Sequence, residues 1–323
     1  MRALLLLSIL CVSGLMGCSI ILPSTPHATT PERSCAPLHP TRFQIQSRED
    51  TGDTGDEILS LSPQSLEVAK VMDAVPLLAR LRALEQVGDI NSIVYMELRQ
   101  SLTERLLLTL FEVSSVTAEL VCERDRADQV ADRMDEVDAS LVKRLTLASI
   151  VIGGLSAVVS GGLGLAGAAS NASNAADLAG GVVASVFGGT ALFAASQQQF
   201  GHQRNLLAEL WENPKESSAF SPAVWRFLQR PRTDGTRNIR EEIIHAWQQQ
   251  GRLGEPGSSG EQARTTLVFG KGGTYTSSDL RARASMLETL EAHIELLSEE
   301  LEVFLRELFQ RRHQLTPQEG PHT

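Results

Sequence analysis

The sequence predicts an all-α protein: an elongated helical bundle or coiled coil that carries a glycine-rich, apolar helical hairpin. In two segments, 102–145 and 287–308, apolar residues recur at three- and four-residue steps, which places them on one face of a helix. Between these segments, residues 145–195 contain many Gly and Ala and one charged residue, Asp177. A stretch without a charged face must be covered by lipid or by protein, so its location decides much of the function.

Residues 1–17 are expected to be a signal peptide that is removed on export. Arg2 gives a positively charged start, and the apolar run over 3–12 that follows is too short for a stable membrane span. A plain secretory signal cut nearby and an uncleaved anchor are the alternatives. Removal of Arg2 with this segment leaves 28 of the 29 basic residues against 39 acidic ones, a net charge of −11.

The end of this segment, Leu15-Met16-Gly17-Cys18, resembles the lipobox of bacterial lipoproteins. The resemblance implies that Cys18 becomes the new N-terminus and is diacylated, with palmitate-type chains that hold the protein in membrane lipid. It also implies the outer membrane rather than the inner membrane, because Ser19 is not an Asp-type retention signal. We therefore expect a lipid-anchored protein of the bacterial cell envelope.

Residues 18–62 have the composition of a flexible linker, with Pro, Thr, Ser, Gly and charged residues and few aromatic ones. Besides Cys18 and the signal-peptide Cys11, the chain has Cys35 in this linker and Cys122 on a predicted helix. In an oxidising compartment a disulfide between Cys35 and Cys122 would join the linker to the bundle. Spacing alone leaves two unpaired thiols as the alternative.

Residues 63–144 are expected to form a helical body. Ser62 and Pro63 supply a cap and a first-turn proline, and Gly88 interrupts the pattern before a longer helix that begins near Ile90. No Pro or helix-stopping Gly separates this helix from residue 145. The long helix is therefore expected to run directly into the apolar segment.

Residues 145–196 are expected to form the hairpin, with its tip at Asp177. As a helix, the uncharged first arm, 145–169, exceeds the roughly 30 Å hydrocarbon core, and the second arm, 178–195, is near the lower limit for a transmembrane helix. Small residues recur at every fourth position on both arms, which lets two helix backbones approach closely in lipid. The residues assigned to this packing are Gly153, Gly161, Gly181 and Gly189.

An ordinary buried hairpin inside a soluble bundle is the alternative for this segment. A lipobox combined with paired Gly-rich arms is similar to glycine-zipper outer-membrane lipoproteins, and long helices around an apolar hairpin are similar in layout to helical pore-forming toxins. Lys143, Arg144 and Arg204 flank the arms, whereas the tip has no basic residue. For an exported chain this pattern disfavours an inner-membrane span and favours the outer membrane or another bilayer.

The rest of the chain is expected to continue the helical body. Residues 197–250 are predicted to be helical, with the three Trp residues in a core, and residues 251–277 to be a Gly/Ser/Thr-rich loop in which 265–269 could form one short strand. Residues 278–313 are predicted to be a coiled-coil-like helix, followed by a disordered tail over 314–323.

The apolar seam of this C-terminal helix must pack on another helix. We expect residues 130–145 to be its partner within one monomer. Self-association, or contact with another envelope protein through this helix, is the alternative.

Composition and motifs argue against several function classes. An acidic chain without a Lys/Arg stripe disfavours nucleic acid as a partner. The seven His residues lack metal-ligand spacing, Gly270 to Gly273 lack the spacing of a P-loop, and no nucleophile elbow or comparable catalytic motif occurs. We expect no catalytic residue, no metal site and no cofactor.

These observations predict a non-enzymatic envelope lipoprotein that acts as a helical scaffold or interaction protein with a membrane-embedded hairpin. Two alternatives remain open. One is a helical pore-forming or membrane-perturbing effector that releases the hairpin into a target membrane. The other is a soluble periplasmic bundle with the hairpin as its core.

Overall fold

The computed structural model describes Cys35 and residues 61–165, 196–232 and 235–315. These residues are mostly helical, with eight helices and two short strands, in agreement with the all-α class. In chain order the elements are α1 (Pro63–Val71), α2 (Val75–Gln86), α3 (Ile93–Leu165), β1 (Gln198–Gly201), α4 (Leu206–Glu212), α5 (Pro222–Gln229), α6 (Ile239–Gln249), α7 (Ser259–Phe269), β2 (Gly272–Tyr275) and α8 (Ser277–Leu315).

The start of α1 has the cap that the sequence predicts. Ser62 Oγ accepts a hydrogen bond from the Ser65 N–H at 3.2 Å, and Pro63 occupies the first turn. Ser62 also ties this end to α8, because its N–H and its hydroxyl each donate to the Glu307 carboxylate at 2.8 Å. Gly88, at φ +76°, separates α2 from α3 as expected, since this left-handed conformation suits glycine.

The centre of the protein is the packing of α8 against α3. Arg281 near the start of α8 binds Asp132 and Asp135 of α3 at 2.9 and 2.5 Å, and further along α8 Glu291 binds Arg124 at 2.5 Å. The two helices therefore run antiparallel. The seam residues of α8 are buried in this contact: Leu287, Leu290, Ile294, Leu297, Leu301 and Phe304.

The expected partner of the seam, residues 130–145, is wrong for most of its length. The buried apolar residues of α3 extend from Leu98 to Met134, whereas Val137 and Leu141 are 51% and 40% exposed. The reason is the length of α8, which begins at Ser277 beside Asp135 and does not continue along α3.

The short helices α4 to α7 complete the core against α8. Trp247 of α6 is fully buried and its indole N–H donates to the Met286 carbonyl of α8 at 3.2 Å. Trp211 stacks on Phe269 with ring centroids 4.4 Å apart. These contacts place the Trp-containing helices in the interior of the bundle.

The loop predicted over 251–277 instead contains α7 and β2. Ser258 caps α7, and its hydroxyl accepts from the Glu261 N–H at 3.0 Å. Residues 265–269 do not form the short strand that their sequence allows, because they are the last part of this helix. Thr266 donates to the Gln262 carbonyl there at 2.9 Å. The strand lies further along and pairs with β1 in an antiparallel ladder that joins Gln198 to Tyr275 and Gly201 to Gly272.

Beyond its contact with α8, the helix α3 continues with exposed apolar side chains. We refer to residues 139–165 of this helix as the overhang. No helix in the part of the chain that the structure describes is long and apolar enough to cross a membrane. The second predicted arm and Asp177 lie outside the described residues. Exposed large side chains on the overhang are Leu147 (53%), Ile150 (64%), Val151 (58%), Leu155 (61%) and Val158 (72%).

The packing of α8 on α3 predicts that alanine substitutions at two neighbouring leucines differ in their effect on stability. Leu297 is fully buried, so Leu297→Ala should lower the free energy of unfolding by roughly 2 to 5 kcal/mol. Leu296 on the same helix is 42% exposed, and Leu296→Ala should change the free energy of unfolding by less than about 0.5 kcal/mol. Urea unfolding of the two oxidised full-length variants measures both values, and equal losses would contradict this packing.

Candidate functional site

The chain returns to α3 at a defined position after the predicted hairpin. The Ser196 N–H donates to both carboxylate oxygens of Asp138, at 2.8 and 3.1 Å. Farther along, the Gly201 carbonyl accepts from Arg126, and Arg204 pairs with Glu119 at 3.5 Å. Residue numbers rise on the returning segment while they fall on α3, so the two run antiparallel along this face.

A buried arginine connects the returning segment to the two longest helices. Arg283 of α8 is fully buried, and it donates to the Asn205 side-chain oxygen at 3.3 Å and to the Val268 carbonyl at 3.2 Å. Its guanidinium lies 3.9 Å from the carboxylate of Glu123 on α3, which also pairs with Arg126 at 3.3 Å. Burial lowers the pKa of Arg283 to about 10, so this side chain remains positively charged at neutral pH.

A histidine directly after β1 and a tyrosine at the end of β2 join this cluster. His202 Nε2 lies 2.8 Å from the Tyr275 hydroxyl, which in turn donates to the Leu267 carbonyl at 2.9 Å. Burial, with the nearby Arg283 and Arg126 charges, lowers the pKa of His202 to about 3. Burial raises the pKa of Tyr275 to about 12. At neutral pH the imidazole is therefore uncharged and the phenol keeps its proton.

The neighbouring carboxylate, Glu119, titrates close to neutrality. Its side chain is 3% exposed, and burial raises its pKa to about 7 against the opposing effect of Arg204. Glu123, one helical turn away, raises this pKa further because it carries a like charge. Protonation of Glu119 changes the charge balance where the chain returns to α3.

A disulfide lies beside these carboxylates. Cys122 is between Glu119 and Glu123 on α3, and it is bonded to Cys35 with a Cα–Cα distance of 5.6 Å. The bond closes a sequence separation of 87 residues, so it joins the segment before the bundle to the middle of the longest helix. We use the name polar junction for Glu119, Glu123, His202, Tyr275 and Arg283 together with this disulfide.

The contacts of the polar junction hold distant segments of the chain together. Arg283 faces the Glu123 carboxylate and the Val268 carbonyl, and His202 Nε2 faces the Tyr275 hydroxyl. His202 Nδ1 and Arg283 Nε are buried and have no hydrogen-bond partner among the described residues. Among the described residues, no group of three or more His, Cys, Asp or Glu side chains could hold a metal ion. The arrangement fixes β1, β2 and α8 on α3, and its titratable member near neutrality is Glu119.

The residues predicted from the sequence fall in different places. Cys18, Gly181 and Gly189 lie outside the described residues. Gly153 and Gly161 are on the overhang of α3. A Cβ added to Gly153 would meet no heavy atom within 4 Å among the described residues, so any close packing there would involve parts of the chain outside these ranges or a partner.

Sequence reasoning did not assign a role to the other members of the polar junction. The available signal was the i, i+4 pair of Glu119 and Glu123, which interrupts an apolar stretch of α3 next to Cys122. His202 and Arg283 become recognisable as partners only when the returning segment and α8 are placed on the same face of α3.

No family model, curated protein or solved structure shows significant similarity to this chain.

The raised pKa of Glu119 predicts how the stability of the protein depends on pH. Because its pKa is raised on folding, the folded state keeps a proton that the unfolded state loses between pH 4.5 and about 7, and its contribution to stability falls as the pH rises. The lowered pKa of His202 acts in the opposite direction below pH 6.5. The comparison of wild type with Glu119→Gln therefore isolates the carboxylate.

We expect the stability of Glu119→Gln relative to wild type to increase by roughly 2 to 3 kcal/mol between pH 5 and pH 8. Urea unfolding with the disulfide intact measures this difference. Glu97→Gln, at an exposed position of the same helix, is the matched control and should show no such increase. A constant difference between Glu119→Gln and wild type across this range would disprove the burial effect.

Proposed function

We propose that the chain is a non-enzymatic lipoprotein of a bacterial cell envelope, anchored through Cys18, that acts as a helical scaffold and presents an apolar helical hairpin to a membrane. The observation that carries the proposal is the overhang of α3. Large apolar side chains are more than half exposed there, at Leu147, Ile150, Val151, Leu155 and Val158. Such a surface is unfavourable in water and is typical of a contact with lipid or protein.

The position at which the chain returns supports a hairpin. Asp138 and Ser196 are hydrogen-bonded, so residues 139–195 leave and rejoin α3 at nearly the same place. The first part of this segment is helical to Leu165, and at about 1.5 Å per residue it extends roughly 40 Å from Asp138. The predicted second arm, 178–195, would cover roughly 27 Å of the way back as a helix.

The composition of residues 139–195 supports contact with lipid. Between Arg144 and Arg204 the sequence contains a single Asp, Glu, Lys or Arg residue, Asp177. Closely spaced small residues allow helix packing in lipid, where helix association gains little from the hydrophobic effect. The proposal requires the hairpin to be embedded in or against a bilayer, and does not require either arm to span it.

The disulfide supports export independently of the lipobox resemblance. Disulfides persist in oxidising compartments such as the periplasm and the cell surface and are rare in the cytosol. Cys35 and Cys122 form one in the structure. With Cys18 acylated, this bond would connect the lipid anchor to the bundle through only the 16 residues between Cys18 and Cys35. Tension or movement at the anchor would then reach α3 directly.

A scaffold role fits the chemistry of the polar junction. Its histidine is held neutral and its tyrosine protonated, and both are hydrogen-bonded within the protein. Its arginine and carboxylates compensate one another. These features favour a structural role over proton transfer to a substrate.

Removal of the acylated cysteine tests the two membrane contacts separately. Cys18→Ser should abolish incorporation of labelled palmitate, yet the protein should remain with membranes after carbonate extraction because the hairpin is in contact with lipid. Cys11→Ser, within the signal peptide, is the matched control and should retain both properties. Palmitate labelling and quantitative immunoblotting of the membrane and soluble fractions measure the outcome.

Further substitutions in the Cys18→Ser chain identify which surface contacts lipid. Ile150→Glu with Leu155→Glu in the Cys18→Ser chain should release the protein into the soluble fraction, since charged residues on the overhang oppose lipid contact. Phe111→Glu, at a position 69% exposed on the part of α3 within the body, should leave it bound. Release of Cys18→Ser alone would show that the hairpin is not held by lipid, and palmitate on Cys18→Ser would refute the lipidation site.

A further inference from the structure

The disulfide shortens the link between the proposed lipid anchor and the bundle. Cys35 is bonded to Cys122 of α3, and 16 residues separate Cys35 from Cys18. A chain of this length extends at most about 60 Å. Without the bond, the link would run to Leu61, the next residue that the structure describes, and would contain 42 residues. The bond therefore removes more than half of the link.

The bond also moves the point of attachment towards the overhang. Leu61 lines one cavity with Leu102 and Leu106, which lie on the part of α3 farthest from the overhang. Cys122 follows Leu106 by 16 positions, or roughly 24 Å along the helix. The overhang begins about 25 Å beyond Cys122 at 1.5 Å per residue. The anchor is thus joined to α3 close to the overhang and not at the opposite end of the bundle.

Two basic residues mark how deeply the overhang enters lipid. Lys143 and Arg144 are exposed on the overhang, just before the uncharged stretch that begins at residue 145. Cationic side chains are favourable beside anionic headgroups and unfavourable in the hydrocarbon below them. Arg144 follows Cys122 by 22 positions, so with Arg144 at the headgroups Cys122 lies within about 33 Å of them. The link to Cys18 covers this distance at any tilt of the helix.

These lengths favour the anchoring bilayer over any other lipid surface. Contact with the bilayer that holds Cys18 is intramolecular, and a short link gives it a high effective concentration. A second bilayer would have to approach the first to within about 100 Å before Arg144 could reach its headgroups. The anchoring bilayer, by contrast, is always within reach of the overhang.

We propose that the overhang enters the same bilayer that holds the acylated Cys18, with Lys143 and Arg144 at its headgroups, and that the disulfide between Cys35 and Cys122 favours this contact. The inference rests on the proposed function and goes beyond it by identifying the lipid surface. It assigns the hairpin to holding the bundle against its own membrane, as opposed to attacking a separate target membrane.

Photolabelling from two vesicle populations tests this assignment. The acylated full chain, with its disulfide intact, is reconstituted into vesicles of phosphatidylethanolamine and phosphatidylglycerol and mixed with protein-free vesicles of the same composition. A phospholipid with a diazirine on its acyl chain is placed in one population or in the other. After reduction, trypsin releases 18–33 and 145–204 as separate peptides, because neither contains an internal Lys or Arg. The first peptide reports the bilayer of the anchor, and the second reports that of the hairpin.

We expect both peptides to be labelled from the protein's own vesicles and neither from the added ones. Label on 145–204 from the added vesicles alone would overturn the inference and leave lipid contact of the hairpin intact. Absence of label on 145–204 from either population, with 18–33 labelled, would refute the proposed lipid contact and the inference with it. The two failures are therefore distinguishable.

Removal of the disulfide tests its part in this contact. The measurement uses Ile150→Ser, a change on the overhang that weakens lipid contact and leaves the labelling incomplete. In this chain, Cys35→Ser with Cys122→Ser lengthens the link from 16 to 42 residues. Effective concentration falls with roughly the −3/2 power of length, so label on 145–204 from the protein's own vesicles should fall about fourfold.

A second variant separates link length from any effect of the missing bond on folding. An insertion between Cys18 and Cys35 that lengthens the link to 42 residues, with the disulfide intact, should lower the label by the same factor. Unchanged labelling in this variant would overturn the role assigned to the disulfide. Circular dichroism of both variants verifies that the helices are retained.

Discussion

The difference in length between α3 and its partner α8 is the constraint on which the rest of the structure depends. The first has 73 residues and the second 39, or roughly 110 and 60 Å at 1.5 Å per residue. Hydrophobic burial holds α3 only where α8 and the short helices reach it, up to Met134. Beyond Asp138, which Ser196 contacts, the helix continues as the overhang, and its large apolar side chains are exposed. A stable body and an unsatisfied apolar surface therefore occur on one continuous helix.

The polar junction lies on the part of α3 within the body, at Glu119 and Glu123, and holds the segment that follows Ser196 against that helix. Desolvating Arg283 and Glu123 is costly, and pairing between them offsets that cost only when the geometry is maintained. Such groups stabilise less than apolar residues would, but they favour one register of the returning segment over others. The disulfide beside them links the same part of α3 to Cys35. This part of α3 is thus held by a disulfide, ion pairs and hydrogen bonds.

Local signals in the sequence predicted much of the fold. Ser62 with Pro63 marks a helix start that the structure contains, because capping depends on neighbouring residues. The seam of α8 was also predicted, since its period is strict. The section of α3 that packs on this seam was not, because the apolar face of α3 continues past the end of α8 and periodicity alone cannot choose between two stretches of the same face.

Two other features depended on contacts that no local pattern specifies. The helix α7 was expected as a loop because Gly, Ser and Thr dominate around it, and its formation relies on the Ser258 cap and on burial of Val268 and Phe269. The polar junction combines residues of α3, β2 and α8 with His202, which follows β1, and Arg283 lies 164 positions after Glu119 in the chain. The two cysteines were recognised as a candidate pair, yet spacing left their pairing open. Sequence reasoning thus identified helices and apolar surfaces better than long-range polar contacts.

The location of the overhang can be measured directly by thiol labelling. Leu155→Cys and Val158→Cys would be treated in intact membranes with a bulky, charged maleimide, with Val137→Cys near the base as a water-exposed reference. Lipid contact predicts that positions 155 and 158 are protected in membranes and become reactive in detergent, while position 137 reacts in both. Free reaction of 155 and 158 in intact membranes, or their continued protection in detergent, would contradict the account.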